Sequence, residues 1–475
     1  MQSGKFTVVE RAKDRIRDLR GLQDAGFLCR QGDFFPSVHY PPITMVPPIS
    51  EEELFGSYRN PEDGLYDIYV HIPFCEKQCD FCHYPVKLGA SVQEKDRYLD
   101  ALEKELDLHL GRLGLRALPV RSILVGGGTP THLTPAQLKR FLGFLSSKLD
   151  RSSLTQFNYD LDPGSLLGPE GRERIELLRA HAVDRLSIGI QSLDDAMLRR
   201  MNRPHDASQA AESVRLARAA GFIINVEFIF GYPGQTIAGW VDTLSKAVDL
   251  GADEIQLYRL KIHPYGDRKG TISARYEHSP ATFPSVDGVL TMKMVAMLFL
   301  SERGYCENLR RVFSRKPDIY SHYADNQCCR LRDQIGLGLT AFSSLRDRFG
   351  LNTQSFEEYY ASIGCGRLPL NRGLVRSRED QLRWAIILPL KNRSVRKKQY
   401  QGLTGVSLDS VFRKKIAKLK QARLLWEDTE SLGPTELGSF LADEICHQFH
   451  APEYIPFPRA AYAPGELNPY MDCEP

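Results

Sequence analysis

The sequence predicts an α/β protein built on a partial barrel of six parallel strands. Between about residues 66 and 261, short runs of β-branched and aromatic residues alternate with segments whose apolar residues recur every three or four positions. The connections are short, so the strands should run parallel with right-handed crossovers. Six strand–helix units are too few for a closed eight-unit barrel, and we therefore expect an open one.

The six strands follow from local composition. Each run is short, is rich in valine, isoleucine, tyrosine or phenylalanine, and is followed by a turn or a polar residue. In chain order the predicted strands are Tyr66–Ile72, Ser122–Val125, Gln156–Leu161, Arg185–Ile190, Asn225–Phe230 and Glu254–Leu260.

The helices between the strands are marked by apolar periodicity. After the first strand, leucines at positions 99, 102, 106 and 110 form one apolar face. A later helix runs through Ala210, Val214 and Ala217, and Gly221 is placed to cap its C-terminus.

Polar residues and glycines follow the strands, at the rim where βα barrels build their active sites. This coincidence at six strand ends predicts a single site. The residues concerned, from the first strand to the sixth, are Cys75–Cys82, Gly126–Pro130, Asp160 with Asp162, Gln191, Glu227, and Arg259 with Lys261.

The loop after the first strand carries Cys75, Cys79 and Cys82 with the spacing CxxxCxxC. Three thiolates leave one iron of a four-iron cube open to a small molecule. The alternative is a structural zinc, with His71 or His83 as the fourth ligand. The spacing is not that of a zinc knuckle and no second cysteine pair stands at finger distance, so the pattern favours the cluster.

The composition is that of a cytoplasmic globular enzyme. Hydrophobic residues make up 42% and charged residues 25% of the 475 residues, and the ten cysteines are too scattered for a disulfide framework. The charged start of the chain is unlike a signal peptide, and no run reaches the ~18 apolar residues of a membrane span. A net charge of +3 does not indicate a polyanionic partner.

The motif from Tyr69 to Cys82, YVHIPFC followed by CxFC, resembles the radical S-adenosylmethionine (SAM) enzymes of the oxygen-independent coproporphyrinogen III oxidase branch. The resemblance implies a (β/α)6 partial barrel, a 4Fe–4S cluster on Cys75, Cys79 and Cys82, and SAM on the open iron. In this family, one electron from the cluster splits SAM into methionine and a 5′-deoxyadenosyl radical that abstracts hydrogen.

The resemblance also implies SAM contacts, residue by residue. The family usually has Glu where Asp160 stands and often has Asp where Glu227 stands. Tyr69 is expected near the methionine part and Phe81 beside adenine. The full predicted set is Tyr69, Phe81, Gly127, Gly128, Thr129, Asp160, Gln191, Arg203, Glu227, Lys261 and Phe342.

Four regions are predicted: an N-terminal arm (1–65), the barrel (66–300), a linker or lid (301–374) and a C-terminal winged-helix-like α+β domain (375–475). The segment 335–345, IGLGLTAFSSL, resembles the family element that borders a second SAM. In the last region the helix Ser410–Arg423 is basic, but its apolar residues need burial, so we expect packing rather than nucleic-acid binding.

Tyr84 stands where the oxidase has a fourth cysteine, and the N-terminal arm also differs from that of the oxidase. These departures resemble the class C radical SAM methyltransferases, some of whose relatives form cyclopropanes. The main prediction is therefore methyl or methylene transfer from a second SAM to an sp² carbon of a natural-product precursor. His83, Tyr84 and Glu227 are the candidate catalytic bases.

Two alternatives stay open. One is oxidative decarboxylation of a tetrapyrrole, as in coproporphyrinogen oxidase, and the other is a HemW-like haem chaperone without turnover. In each case we expect a small-molecule ligand and no membrane partner. For methyl or methylene transfer and for the oxidase reaction we also expect a reducing protein such as flavodoxin or ferredoxin.

Overall fold

A computed structural model describes residues 7–29, 39–263 and 269–472. The predicted N-terminal arm and C-terminal domain therefore lie partly outside the described residues, including Phe34–Ser37 of the proline-rich arm. All predicted site residues are described.

Strands and helices alternate along most of the described chain. The strands are β1 Tyr66–Ile72, β2 Phe74–Cys75, β3 Lys87–Leu88, β4 Leu118–Gly127, β5 Leu149–Asp150, β6 Gln156–Leu161, β7 Arg185–Gln191, β8 Ile223–Phe230, β9 Glu254–Arg259, β10 Cys306–Leu309, β11 Val312–Ser314, β12 Gln334–Leu337, β13 Phe342–Leu345, β14 Arg348–Asn352, β15 Leu370–Val375, β16 Val395–Arg396, β17 Leu425–Glu427 and β18 Ser431–Pro434. The helices are α1 Val8–Arg17, α2 Arg20–Asp24, α3 Glu51–Phe55, α4 Val92–Leu113, α5 Pro135–Lys148, α6 Gly168–Ala180, α7 Asp195–Arg200, α8 Ala207–Ala219, α9 Ile237–Asp249, α10 Thr271–His278, α11 Val286–Ser301, α12 His322–Ala324, α13 Phe356–Gly364, α14 Arg378–Asn392, α15 Lys397–Thr404, α16 Leu408–Gln421, α17 Glu436–Phe440 and α18 Ala442–His447.

The six predicted barrel strands form, in the order β1, β4, β6, β7, β8 and β9, and every neighbouring pair is parallel. The fold-class prediction is confirmed. The main difference in bounds is β4, which starts at Leu118 rather than Ser122 because the preceding residues pair with the short strand β5.

The barrel is open, and its sheet continues beyond both edges. On one side β12 pairs in parallel with β1, and β13, β14 and β15 follow as an antiparallel extension. On the other side the hairpin of β10 and β11 pairs antiparallel with β9. The predicted linker region therefore contributes strands to the same sheet as the barrel.

Helix α4 shows how the sequence builds the outer layer. The side chain of Ser91 caps the N-terminus and accepts the N–H of Glu94, and the side chain of Glu94 accepts the N–H of Ser91. Two backbone N–H groups of the first turn thus have hydrogen-bond partners. Its leucine face is buried against the sheet, and Gly114 ends the helix in the left-handed conformation (φ 67°).

The C-terminal region combines α14–α18 with a small antiparallel sheet of β16, β18 and β17. The predicted basic helix is α16. Its Lys415 is buried and donates to the carbonyls of Gln448 and Pro469, while Lys418 and Lys420 pair with Asp472 and Glu427. Several of its lysines therefore hold the C-terminal region together.

One stretch, Pro280–Ser301, is long and apolar enough by composition to cross a membrane. It is not an uninterrupted apolar run, because it contains Asp287 and Lys293. Its helix α11 packs against α1 and α9, and Trp240 Nε1 of α9 donates to the carbonyl of Met292 at 3.0 Å. In this structure the stretch is a core helix.

Candidate active site

The cysteine loop begins and ends beside the C-terminal end of β1. The two-residue strands β2 and β3 pair at its base, and the N–H of Lys87 bonds the carbonyl of Pro73 at 2.7 Å. Cys75, Cys79 and Cys82 are half-buried within this loop.

Asp80 anchors the loop to the end of α7, to the turn after β8 and to the start of α10. Its N–H bonds the carbonyl of Met201 at 3.1 Å, and its carboxylate accepts the hydroxyl of Tyr232 at 2.6 Å. Its carbonyl accepts the N–H of Ile272 at 3.0 Å and the hydroxyl of Thr271 at 2.8 Å, so the first turn of α10 clamps it. Asp80, which lies between Cys79 and Cys82 in the sequence, therefore holds the cysteines in position.

His83 joins the same loop to the segment after β9. Its Nδ1 accepts the N–H of Gly270 at 3.0 Å, and its Nε2 lies 3.0 Å from the carbonyl of Lys261. A side chain at Gly270 would approach the carbonyl of Cys82 to 2.5 Å, so this contact requires glycine. Because both ring nitrogens of His83 bond the backbone, the structure uses this predicted base to position the loop.

The glycine run after β4 makes room for side chains of the site. A Cβ on Gly126 would lie 2.4 Å from a carboxylate oxygen of Asp160, and one on Gly127 would lie 2.6 Å from the His71 ring. A Cβ on Gly128 would lie 2.8 Å from the carbonyl of Phe74 and 3.0 Å from Sγ of Cys75. The run therefore lets β4 approach the cysteine loop closely.

Thr129 follows this run and faces the cysteine loop directly. Its N–H bonds the carbonyl of Phe74 at 2.7 Å, and its hydroxyl lies 3.7 Å from Sγ of Cys75. Its predicted role in a SAM site stays a prediction, and its observed contact is with the loop.

Two carboxyl groups, Asp160 of β6 and Glu227 of β8, lie near each other on strands that only β7 separates. Asp160 accepts the side-chain amide of Asn158 at 2.9 Å, and Glu227 accepts the hydroxyl of Tyr258 at 3.3 Å. Burial raises the pKa of both groups, and the charge on Asp160 raises the pKa of Glu227 further. Such a pair resists carrying two negative charges and suits a cationic ligand.

Tyr84 lies beside these acids at the C-terminal end of the barrel, and we call the space that Tyr69, His71, Tyr84, Asp160 and Glu227 border the chamber. Tyr84 is 54% exposed, yet burial is the largest cause of the rise in its pKa, followed by the charges of Cys82, Asp160 and Glu227. The ring of Tyr84 is 6.0 Å from that of His71.

Tyr69 forms part of the same chamber. Its hydroxyl lies 3.0 Å from Nδ1 of His71, and its ring is 6.3 Å from that of Tyr323. Thr340 Oγ1 lies 3.4 Å from the same His71 nitrogen. The segment 335–345 therefore borders the chamber, and its predicted place beside a second SAM stays a prediction.

Gln191 ends β7 in a strained conformation. Its φ is +71°, which is uncommon outside glycine, and the pairing with β8 shifts at this point. Its Oε1 is buried and accepts no hydrogen bond within the described part of the chain. An orphaned amide oxygen on a strained strand end indicates a ligand contact.

Arg203 reaches the cysteine loop itself. Its Nη1 lies 3.0 Å from Sγ of Cys79, and its Nη2 bonds a carboxylate oxygen of Asp162 at 2.6 Å. Among the described residues its Nε is buried without a hydrogen-bond partner, so this N–H can donate to a ligand.

The remaining predicted contacts are more dispersed. Phe81 packs beside Met201 and Tyr232, below the loop. Phe342 packs against His39 and Phe349, and so belongs to a cluster with the N-terminal arm. Burial lowers the pKa of Lys261 to about 5, and the charge of Lys391 contributes.

Sequence reasoning missed Asp80, Tyr232 and His205. Each stood beside a noted motif: Asp80 between two cysteines, Tyr232 in the turn after β8, and His205 in MNRPH. The sequence shows only that each is a polar residue next to a motif, and this does not reveal which distant residue it contacts.

The residues fit a four-iron cluster with SAM. Burial raises the pKa of Cys75 to about 12, and the neighbouring thiols Cys82 and Cys79 add to the rise, so the three sulfurs favour positive charge between them. In the described ranges no three His, Cys, Asp or Glu side chains are arranged to hold a single metal ion. In a cube each cysteine binds a different iron, so convergence on one point is not needed.

Comparisons with known proteins agree with this site. A model of the Radical SAM superfamily matches residues 69–247, which contain all three cysteines and most predicted SAM contacts. The chain therefore contains a radical SAM domain, and its cofactors are a 4Fe–4S cluster and SAM.

The similar proteins extend well beyond that domain. The oxygen-independent coproporphyrinogen III oxidase of Escherichia coli (strain K12) is 28% identical over 343 residues, 70% of this chain and 72% of that protein. The heme chaperone HemW of Bacillus subtilis (strain 168) is 26% identical over 388 residues, 80% of this chain and 98% of that protein.

A solved structure is also similar, that of coproporphyrinogen III oxidase (HemN) from Escherichia coli, a radical SAM enzyme. Its TM-score is 0.69 at 26% identity, and the match covers 82% of this chain and 90% of that one. The chain thus contains a radical SAM domain and is similar beyond it to HemN and HemW proteins.

Proposed function

Since the chain carries a radical SAM domain, we propose that it is an oxidoreductase that decarboxylates propionate side chains of a tetrapyrrole, as an oxygen-independent coproporphyrinogen III oxidase does. The observation that carries this proposal is the similarity over 90% of the solved HemN chain, because it includes the regions that flank the barrel. It replaces methyl transfer as the leading interpretation.

Cys75, Cys79 and Cys82 would hold the cluster, and Asp160, Gln191, Arg203 and Glu227 would hold SAM. When bound, the two cofactors supply a 5′-deoxyadenosyl radical that removes a hydrogen atom. Asp160 and Glu227 offer negative charge to the cationic centres of SAM, and Gln191 offers an acceptor oxygen. The clamp on Asp80 and α10 keeps the loop closed around the site.

The proposed reaction balances on the substrate. Each propionate loses one hydrogen atom and CO2 and gives one electron to an external acceptor, which leaves a vinyl group. The chamber beside Tyr84 and the segment 335–345 would receive the substrate side chain. A flavodoxin or a ferredoxin is the proposed reducing partner.

The test is anaerobic turnover of coproporphyrinogen III by the cluster-loaded protein, with SAM and a reductant. Mass spectrometry should find the porphyrinogen that has lost CO2, together with 5′-deoxyadenosine. Cys75→Ser should abolish both products, whereas Cys306→Ser, which changes an exposed cysteine away from the site, should abolish neither. Formation of 5′-deoxyadenosine without decarboxylation would contradict the tetrapyrrole assignment.

Methyl or methylene transfer is the second candidate. It is favoured by Tyr84, which occupies the place of the fourth cysteine of the oxidase, and by the contact of Thr340 with His71, which brings the segment 335–345 to the chamber. In the same assay, S-adenosylhomocysteine together with 5′-deoxyadenosine would support a second SAM and this reaction.

A haem chaperone is the third candidate, since HemW is matched over 98% of its length. A haem titration of the loaded protein distinguishes it. A stoichiometric shift of the haem absorbance, without SAM cleavage, would support binding without turnover.

A further inference from the structure

Arg203 occupies a position between the cluster loop and the end of β7. Its guanidinium side chain is 10% exposed, so its charge is almost removed from water. Nη1 donates to Sγ of Cys79 at 3.0 Å, and Nη2 donates to Asp162 at 2.6 Å and also to the carbonyl of Gly189. Three acceptors in different directions fix the planar group.

Asp162 is held in turn by His205. The carboxylate oxygen that bonds Arg203 also lies 3.2 Å from Nδ1 of His205, whose Nε2 lies 3.1 Å from the carbonyl of Ile190. Burial acts to raise the pKa of Asp162, but the bond from His205 and the charge of Arg203 outweigh it and keep the pKa low. Asp162 is therefore a fixed anion behind the guanidinium.

We propose that Arg203 is a positioning residue that sets the reduction potential of the cluster by donating a charged hydrogen bond to the Cys79 sulfur, with Asp162 and His205 holding it there. Net charge and hydrogen bonds to the ligand sulfurs are among the factors that determine such potentials. A buried positive charge on a sulfur ligand favours the form with one more electron. Without Arg203 the cluster should be harder to reduce.

This role is separate from the SAM contact predicted for Arg203, because the protein partners occupy Nη1 and Nη2 and leave Nε. The inference rests only on the radical SAM part of the proposed function and needs no tetrapyrrole. It can therefore be tested without substrate and without SAM.

The experiment is a redox titration of the reconstituted full-length protein without SAM, in which electron paramagnetic resonance monitors the reduced cluster. Arg203→Gln should shift the midpoint potential to a more negative value. Arg203→Lys keeps the positive charge but loses the planar guanidinium with its two terminal nitrogens. It should therefore give a smaller shift in the same direction. Arg199→Gln, which removes an exposed arginine on α7, should leave the potential unchanged.

Iron and sulfide content is measured for every variant, so that potentials are compared only between fully loaded proteins. A loaded Arg203→Gln or Arg203→Lys protein with the wild-type potential would overturn the inference. Failure of both variants to load would also overturn it, because Arg203 would then act in cluster assembly. If Arg203→Gln shifts the potential as expected but the wild-type protein does not decarboxylate coproporphyrinogen, this inference stands and only the tetrapyrrole assignment is rejected.

Discussion

Glu105 of α4 accepts the backbone N–H of Gly338 at 2.8 Å, although the two residues lie 233 positions apart. The same buried carboxyl accepts the hydroxyl of Tyr359 at 2.6 Å and the amide of Asn352 at 2.6 Å. A single acid thus fixes the loop between β12 and β13, which carries Thr340 to the chamber.

The first prediction concerns this acid. Burial raises the pKa of Glu105 to about 7, although its three donors act to lower it. An acid with a raised folded pKa weakens the fold as it ionises, so its ionisation should cost stability as the pH rises from 4.5 towards 7. Glu105→Gln removes that titration. The difference in unfolding free energy between wild type and variant should therefore change by roughly 3 kcal/mol over this range. Parallel pH profiles in denaturant titrations would contradict the assignment.

Tyr232→Phe should weaken the clamp on the cysteine loop. It removes the hydroxyl that donates to Asp80 and leaves that half-buried carboxylate with one donor fewer, a loss of about 1 kcal/mol. We expect the cluster absorbance to decay several-fold faster in the presence of an iron chelator. Tyr305→Phe is the matched control, because its buried hydroxyl has no hydrogen-bond partner within the described residues. Equal decay rates in the two variants would argue against the clamp.

Tyr84→Phe separates chemistry from cofactor binding. Tyr84 lies near Asp160 and Glu227. The proposed decarboxylation transfers no proton and should not depend on its hydroxyl. If the chain instead transfers a methyl or methylene group with Tyr84 as the base, loss of the hydroxyl should slow product formation about a hundredfold or more. SAM cleavage should continue, so the ratio of product to 5′-deoxyadenosine should fall. Tyr454→Phe, at the C-terminal region, serves as the control. An unchanged ratio would mean that Tyr84 only borders the chamber.

Lys415→Met tests the structural use of α16. The ammonium group donates to two carbonyls of the C-terminal region, and its removal leaves these buried acceptors unsatisfied. We expect a loss of about 1–3 kcal/mol in unfolding free energy. Lys414→Met, at the exposed neighbouring position, should stay within about 0.5 kcal/mol of wild type. A similar effect of both substitutions would point to charge rather than to this contact.

The strands were predictable because each is encoded locally. The runs at β1 and β6 have the predicted bounds, and alternation with helices was enough to derive a parallel sheet. The cysteines were predictable for the same reason, since all three lie within eight residues of chain.

The partners within the site were not predictable from one sequence. The carbonyl of Asp80 accepts the hydroxyl of Thr271, 191 positions away, and no local pattern relates the two. The contact of Arg203 with Cys79 spans 124 positions. Gly127 and Gly128 stay predicted SAM contacts, but the close approach of the glycine run to Asp160, His71 and the cysteine loop could not be derived from one sequence.

The position of β1 in the sheet limits how this chain can be divided. The segment that matches the family model ends at residue 247, before β9, and it omits β12, which pairs with β1 from Asp67 to Val70. A fragment cut to those limits would expose the backbone of the strand that leads into the cysteine loop, and exposed strand edges promote aggregation. The radical SAM domain and the region that follows it should therefore be expressed together, as one piece.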